Sequence, residues 1–197
     1  RKDVREGDLV RVQRAGDVIP QVVEVLPEAG RERGAAFRMP QVCPNCGTPV
    51  RESGPFTYCP NRLGCSAQLK GRLTHFASRG GLDIEGLGSE TAALLVDRDL
   101  VRELGDLFHL TADQLLGLPG FAAKSAGNLV SAIQGRRSTE LQRLVYGLGI
   151  PEVGSTVARD LAAHFRTFPR VRDAQSDELQ AVRGIGPKMA EQIRSFF

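Results

Sequence analysis

All four cysteines of the chain lie between positions 43 and 65. The first two occur as Cys43-Pro-Asn-Cys46, a turn that can direct both sulfurs at one ion, and Cys59 and Cys65 form a looser second pair. Paired cysteines at this spacing are typical of zinc sites, in which four thiolates form a closed tetrahedron. Because a closed tetrahedron leaves no position for water, we predict a structural Zn²⁺ site rather than a catalytic one.

Two other chemistries are open to these cysteines, namely a pair of disulfides or a redox-active pair. Nothing in the sequence indicates a secreted protein, in which disulfides are usual. The residues between the two cysteine pairs, 47–58, are polar and have too few apolar side chains for a core of their own. A bound metal would supply the folding free energy that this segment lacks.

A second pattern is a short phrase that occurs four times, starting at positions 86, 120, 152 and 184. A period of this size is the mark of a repeated supersecondary unit. Each copy reads small, apolar, small residue and then a helix start, as in Gly86-Leu87-Gly88. Glycine permits a positive φ and a close approach of the backbone, and a helix start offers unpaired N–H groups. Each copy is therefore a candidate phosphate site.

The four copies differ in ways that bear on phosphate binding. Ala122 replaces the second glycine of copy two, and Glu152 replaces the first glycine of copy three with a negative charge. We therefore expect copies one and four to be the best phosphate sites and copy three to be partly structural. Lys124 and Lys188 share one repeat position beside the expected phosphate, although each is also explained as a solvated lysine. The glycines are also explained as residues that only close tight turns.

The remaining elements are predicted from periodicity. Residues 8–13 and 18–26 alternate as two strands around a turn at 14–17, with Pro20 at an edge or a bulge. A charged connector follows at 27–38, and Ser66–Ala77 carries the apolar stripe of a helix. Further helices are predicted at 89–97, 99–106, 111–117, 123–134, 138–147, 155–165, 176–182 and 187–196. Copies one and two, and copies three and four, should form two compact pairs around a shared core.

Composition limits the function classes. The net charge is only +3 and 41% of the residues are hydrophobic, so a nucleic-acid partner would have to be bound by local patches. No apolar run is long enough to cross a membrane, and no signal peptide is recognisable. His75, His109 and His164 are scattered, and we expect them at helix surfaces or core edges rather than in catalysis. The abrupt start and end of the chain indicate part of a longer protein.

The repeated phrase resembles the helix-hairpin-helix motif of DNA-binding proteins. The order of β-hairpin, four cysteines and four such motifs resembles the C-terminal half of a bacterial NAD-dependent DNA ligase, and the resemblance covers essentially the whole chain. The stretches that carry it are Arg14–Pro20, Cys43–Gly47, Cys65–Leu69, His75–Arg79 and Asp83–Gly88. It implies a mainly α fold, in which residues 1–40 are the end of an OB domain, 41–66 a zinc finger with four cysteine ligands, and 67–197 the helix-hairpin-helix domain.

The resemblance also implies a function. The family seals nicks in duplex DNA with NAD and Mg²⁺, through a lysine in a Lys-x-Asp-Gly motif that this sequence lacks. We therefore expect this chain alone to be inactive and to clamp nicked double-stranded DNA as a cytoplasmic, nucleoid-associated monomer without membrane contact. The expected DNA contacts lie in the hairpin loops and first helical turns, at Gly86, Gly88, Gly120, Lys124, Gly154, Thr156, Gly184, Gly186 and Lys188, with Arg14 as a weaker candidate. A free-standing DNA-binding adaptor and a protein-interaction module remain the alternatives.

Overall fold

The structure is a computed structural model that describes residues 2–16, 18–27, 30 and 33–197. The chain divides into two compact units, Arg1–Pro60 and Asn61–Phe197. The turn residue Asp17 lies outside the described residues, as do four positions of the predicted connector, 28, 29, 31 and 32.

The first unit contains two short antiparallel hairpins in its described part. Strands β1 (Leu9–Ala15) and β2 (Ile19–Leu26) pair in a two-stranded sheet, with an irregularity between Arg11 and Val12. The predicted hairpin is present, and Pro20 lies on an edge strand opposite Arg14, away from the irregularity. An edge is where a residue without an N–H is tolerated.

The second hairpin was missed by the sequence analysis. Strands β3 (Arg51–Ser53) and β4 (Phe56–Tyr58) pair within the polar segment between the cysteine pairs. They are joined by a two-residue turn in which Gly54 has a φ of +57°. Three-residue strands are too short to show a clear alternation, which is why periodicity did not reveal them.

The second unit is helical. Its elements are α1 (Ser66–Ala77), α2 (Ser89–Asp97), a 3₁₀ helix (Leu104–His109), α3 (Ala112–Leu116), α4 (Ala123–Gln134), α5 (Leu141–Gly147), α6 (Ser155–Phe165), α7 (Phe168–Asp173), α8 (Ser176–Gln180) and α9 (Pro187–Phe196). Within the described part of the chain, none of these helices combines the length and apolarity needed to cross a bilayer.

One helix prediction is wrong, one helix begins at Leu141 rather than at the predicted position 138, and one helix was missed. The helix predicted at 99–106 is instead the 3₁₀ helix, because Asp99 turns the chain with a φ of +55° and the Asp106 carboxylate accepts from the N–H of Arg102 and Glu103. Helix α7 was not predicted, although Thr167 precedes it and a proline lies at its first turn. Both are start signals that sequence analysis can use.

The core of the helical unit consists of two buried clusters. The first is built from α1 to α4 and includes Leu95 and Ile133, and the second is built from α5 to α9 and includes Leu161 and Ile193. Leu148 packs against both clusters. Copies one and two therefore share one cluster, and copies three and four share the other, so the predicted shared core is divided into two parts.

Candidate metal centre and nucleic-acid interface

The first two cysteines lie in a tight turn. The N–H of Cys43 donates to the carbonyl of Thr48 at 2.8 Å, and the N–H of Gly47 donates back to the carbonyl of Cys43 at 2.9 Å. Gly47 has a φ of +70°, which glycine adopts without the steric cost that a Cβ would add. The short Cys-Pro-Asn-Cys-Gly phrase thus folds into the turn that its spacing predicted.

The four cysteine side chains converge. Their Sγ atoms all lie within 4.8 Å of one another, an arrangement that could hold a metal ion. Four sulfurs at the usual Zn–S distance of a tetrahedral site lie about 3.8 Å apart, so the donor set fits such an ion. The sulfurs of Cys46 and Cys59 are 3.6 Å apart, well beyond the bond length of a disulfide, so these two cysteines do not form a disulfide with each other in this structure.

The cluster is also prepared chemically for metal binding. Hydrogen bonding from Thr48, whose Oγ1 lies 3.3 Å from Cys46 Sγ, lowers the pKa of the Cys46 thiol to about 6, with smaller contributions from Cys59 and Cys43. A thiolate is the form of cysteine that binds a metal. This environment therefore favours the ligating form of the Cys46 sulfur.

The four repeated phrases fold into loops with one common backbone. The residue that opens each loop has a left-handed φ, which is +83° at Gly86, +82° at Gly120, +65° at Glu152 and +85° at Gly184. A residue with a Cβ is strained there by about 1–2 kcal/mol. Glu152 nevertheless keeps the conformation of the three glycines, so the third loop retains the shape of the others.

The middle of each loop is anchored in the same way. The apolar residue of the phrase donates its N–H to the carbonyl three positions earlier, as from Leu87 to Ile84 and from Ile185 to Val182. Leu87 and Ile185 are buried, as is Val153 of copy three, while Phe121 of copy two is half-buried. The loops are thereby fixed to the core by one side chain each, as the spacing of apolar residues predicted.

The closing residue of each loop caps the following helix. Gly88, Ala122, Gly154 and Gly186 share an extended backbone, with φ between −83° and −114°. Any residue adopts this conformation, so Ala122 leaves the second loop intact. A Cβ added to any of the three glycines would meet no atom of the described residues within 4 Å. Neither backbone conformation nor packing against the described part of the chain therefore explains why these three positions are glycine.

The closing residues also differ in how their N–H groups are used. In the described part of the chain, the N–H groups of Gly88, Gly154 and Gly186 make no hydrogen bond. The N–H of Ala122 instead donates to Ser125 Oγ at 2.9 Å. Three loops therefore present a free donor next to open space at a helix start, where the helix dipole favours an anion.

The side chains at the repeated first-turn position are exposed. Lys124 and Thr156 make no hydrogen bond or ion pair with the described residues, whereas Lys188 Nζ lies 2.9 Å from Glu152 Oε1. This pairing raises the pKa of Lys188. Glu152 thus neutralises the lysine of the neighbouring copy, an interaction between copies three and four that the sequence analysis did not anticipate.

The corresponding position of copy one carries an acidic residue, Glu90. Together with Glu85 it lines a cleft of about 680 Å³ that also contacts Gly86 and Gly120 of the first two loops. Both carboxylates are exposed. The glycines alone predict copy one as one of the best phosphate sites, but these two carboxylates place negative charge beside its loop.

Arg14 and His75 lie at the surface and at a core edge respectively. Arg14 is exposed near the end of β1. His75 is half-buried at a core edge, as expected, and its Nε2 donates to the carbonyl of Tyr146 at 2.8 Å. That bond joins α1 to α5, so His75 has a structural role.

Comparison with known proteins agrees with this geometry. A family model described as a SAM-like helix-hairpin-helix tandem matches residues 82–134, and one described as a helix-hairpin-helix motif matches residues 143–197. The DNA ligases of Carboxydothermus hydrogenoformans and Methylococcus capsulatus are each 45% identical to this chain, and that of Syntrophobacter fumaroxidans is 46% identical. These matches run over 197 to 199 residues and cover all of this chain.

The chain spans about 30% of the length of these relatives. The two family models fall on the two hairpin pairs, each of which has its own buried cluster. With this identity along its whole length, the chain belongs to the DNA ligase family, in which it corresponds to the C-terminal part of the protein.

Proposed function

We propose that this chain is the DNA-clamping portion of an NAD-dependent DNA ligase. In this function four helix-hairpin-helix motifs hold the backbone of nicked duplex DNA while other parts of the parent protein seal the nick. The observation that carries the proposal is the common backbone of the four loops, which sets helix starts, and in three loops a free N–H group, beside open space.

The chemistry of these loops matches phosphate. Backbone N–H groups at a helix start donate to phosphate oxygens, and a missing side chain lets the DNA backbone approach closely. Contacts of this kind position a duplex but do not read its bases. Binding should therefore tolerate any sequence and weaken with salt, with a slope in log K against log salt of about −0.9 for each phosphate contacted.

We propose the following roles for the ten residues that the sequence predicts as DNA contacts. The loop glycines Gly86, Gly88, Gly120, Gly154, Gly184 and Gly186 give the backbone access, while Lys124, Thr156 and Lys188 stand in the first helical turns beside it. Lys188 would exchange Glu152 for a phosphate when DNA binds. Arg14, on the hairpin proposed as the end of an OB domain, would add a separate contact.

The four-cysteine cluster is proposed to hold structural Zn²⁺. Cys43, Cys46, Cys59 and Cys65 would be its ligands, and the four thiolates leave no site for a substrate. The metal would stabilise a proposed zinc finger at 41–66, which has only two three-residue strands of its own. Removal of the metal with a chelator should lower the circular dichroism signal and the DNA affinity, and unchanged values of both would refute this assignment.

The reaction itself is assigned to the rest of the parent protein. The Lys-x-Asp-Gly motif that the family uses for adenylation is absent from this sequence, so NAD and Mg²⁺ would be bound elsewhere and this chain alone would not ligate. We further propose that the chain is monomeric and that its parent acts in the cytoplasm on the nucleoid.

Fluorescence anisotropy with labelled nicked and intact duplexes, over a salt series and with several sequences, tests the proposal. Steeply salt-dependent binding of similar strength for all sequences is expected. Replacement of both Lys124 and Lys188 by Ala should weaken binding uniformly and make the salt slope shallower. Equal affinity for nicked and intact DNA would assign nick recognition to other parts of the parent, and absence of binding at low salt would favour the protein-interaction alternative.

A further inference from the structure

A cavity of about 270 Å³ lies beside the third hairpin and is lined by arginines. Arg79, Arg143 and Arg159 come from three different segments, the turn after α1, helix α5 and helix α6. Ser155 and Thr156, the first residues of α6, complete the lining on one side. Among the described residues, no carboxylate lines this cavity.

The fold holds the backbone of this cavity firmly. The guanidinium of Arg143 donates through Nη1 to the carbonyls of Arg79 and Gly81, both at 3.0 Å. A Cβ at Gly80 would lie 2.7 Å from a ring carbon of Tyr146, so the turn that carries Arg79 is packed directly on α5. The hydrogen bonds of Arg143 therefore hold the turn in place, and the turn places Arg79 at the rim of the cavity.

The positive charge of the cavity is only weakly neutralised. The guanidinium of Arg79 makes no ion pair or hydrogen bond within the described residues, and only the carbonyl of this residue is engaged. Arg159 has its sequence neighbour Asp160 at 3.2 Å, and Arg143 lies 3.9 Å from Glu140. Ion pairs between partly exposed groups of this kind are worth about 0–1 kcal/mol, so a bound anion can compete with them.

We propose that this cavity binds a phosphodiester group of duplex DNA through the guanidinium groups of Arg79 and Arg159. Arginine suits this ligand because its planar donors match two phosphate oxygens at once. The start of α6 adds the free N–H groups of its first turn to the same anion. The inference rests on the proposed DNA-binding function and goes beyond the hairpin loops.

The proposed arginine site changes the role that we expect for the third hairpin in DNA binding. Its loop carries Glu152, whose charge opposes a phosphate at the loop itself. The arginine cavity adds positively charged side chains beside the same helix start. Copy three would then bind the DNA backbone through Arg79 and Arg159, which lie outside the repeated phrase. The phrase by itself therefore predicts too small a role in DNA binding for this copy.

The double variant Arg79→Gln, Arg159→Gln tests the proposal by anisotropy over a salt series. Binding should become about tenfold weaker at low salt, and the salt slope should become shallower by about 0.9 for the one phosphate lost. Arg79→Lys with Arg159→Lys keeps the charge and should keep most of the slope. Arg98→Gln with Arg170→Gln removes the same charge from exposed sites outside the cavity and should leave the slope near that of the parent.

The outcomes separate this inference from the proposed function. If the unmodified chain binds DNA with a steep salt slope and the cavity variant has the same slope, the arginine site is refuted and the DNA clamp stands. If the unmodified chain shows no salt-dependent binding, both fail together. Thermal unfolding of each variant, followed by circular dichroism, checks that the loss of affinity does not come from loss of the fold.

Discussion

The first hairpin pair and the second present the same loop backbone but surround it with different charges. In the first pair, Glu85 and Glu90 line the cleft between the loops, and Lys124 is the one basic residue at the repeated first-turn position. In the second pair, Arg79 and Arg159 border the third loop, and Lys188 stands at the fourth. Loops with equal backbones are therefore not equally suited to binding phosphate.

The repeated phrase suggests that loop shape and electrostatic potential go together, but the two hairpin pairs show that they are separate properties. The loop shape depends on a left-handed residue and an extended cap, and it survives the loss of glycine at Ala122 and Glu152. The electrostatic potential depends on side chains that the repeat does not specify. If phosphate binding follows the potential, the second pair should account for most of the DNA affinity.

The largest expected effect concerns stability and tests whether the two pairs are equally well packed. Leu95 and Leu161 are fully buried in the first and second clusters respectively. Replacement of either by Ala removes the same atoms, and each should cost about 2–5 kcal/mol of unfolding free energy because a cavity remains. Urea unfolding measures both, and a loss under 1 kcal/mol at either position would show that its cluster is loosely packed.

The next effect distinguishes the pairs by their DNA affinity. Gly88→Asp and Gly186→Asp each place a good helix cap, and a negative charge, in an open loop of the first and second pair. Gly88→Asn and Gly186→Asn are matched controls of the same shape. Relative to its Asn control, the Asp variant should bind DNA roughly tenfold more weakly at 186 and under about threefold more weakly at 88.

Equal losses at the two positions in anisotropy would contradict the comparison, because they would mean that the first pair contacts phosphate as closely as the second. All four variants should unfold at or above the temperature of the parent chain, since Asp and Asn are better helix caps than most residues.

A smaller effect is expected from neutralising the first pair. Glu85→Gln with Glu90→Gln removes two negative charges from the cleft between loops one and two. DNA affinity at low salt should rise by roughly threefold, because less repulsion faces the phosphates. Asp113→Gln, an exposed acidic residue in α3 that does not line the cleft, is the control and should change the affinity little. An unchanged affinity in the double variant would show that the first pair lies away from the DNA.

The strain at Glu152 gives a still smaller effect. Glu152→Gly relieves a left-handed residue but removes the exposed ion pair with Lys188, so the net gain in unfolding free energy should be about 0.5 kcal/mol. Gly184→Ala makes the opposite change in the fourth loop, where no atom crowds a Cβ, and should cost about 1 kcal/mol. Urea unfolding compares them, and destabilisation by Glu152→Gly would show that the ion pair outweighs the strain.

The smallest effect is a pH dependence of that ion pair. The hydrogen bond with Glu152 raises the pKa of Lys188 above its ordinary value of 10.5. The stabilisation is therefore fully present below that value and is lost as the pH rises through the raised pKa. Glu152→Gln should lower the unfolding temperature slightly at pH 8, and the difference should shrink as the pH rises above 10.5. A difference that does not change with pH over this range would contradict an ionic contribution.

Several elements were accessible from the sequence because they depend on local patterns. The helices at 89–97, 123–134, 155–165 and 187–196 were predicted with their observed bounds, since each follows the repeated phrase and carries an apolar stripe. The cysteine spacing predicted a cluster that the structure confirms. The helix predicted at 99–106 was wrong because the left-handed turn at Asp99 delays the element to Leu104, and local pattern does not reveal such a turn. Helix α7 was missed although Thr167 and a proline mark its start.

By itself, the sequence determined the parts of this protein that depend on neighbours along the chain. The period of the repeat, the cysteine spacing and the order of the modules led to the hairpin loops, the metal cluster and the ligase family. Only the tertiary structure decided which charges meet. It brought Arg79 and Arg159 to one cavity and Glu152 beside Lys188, pairs separated by tens of residues. Electrostatic potential depends on distance in space, and the helix packing that sets this distance is not written in any local pattern.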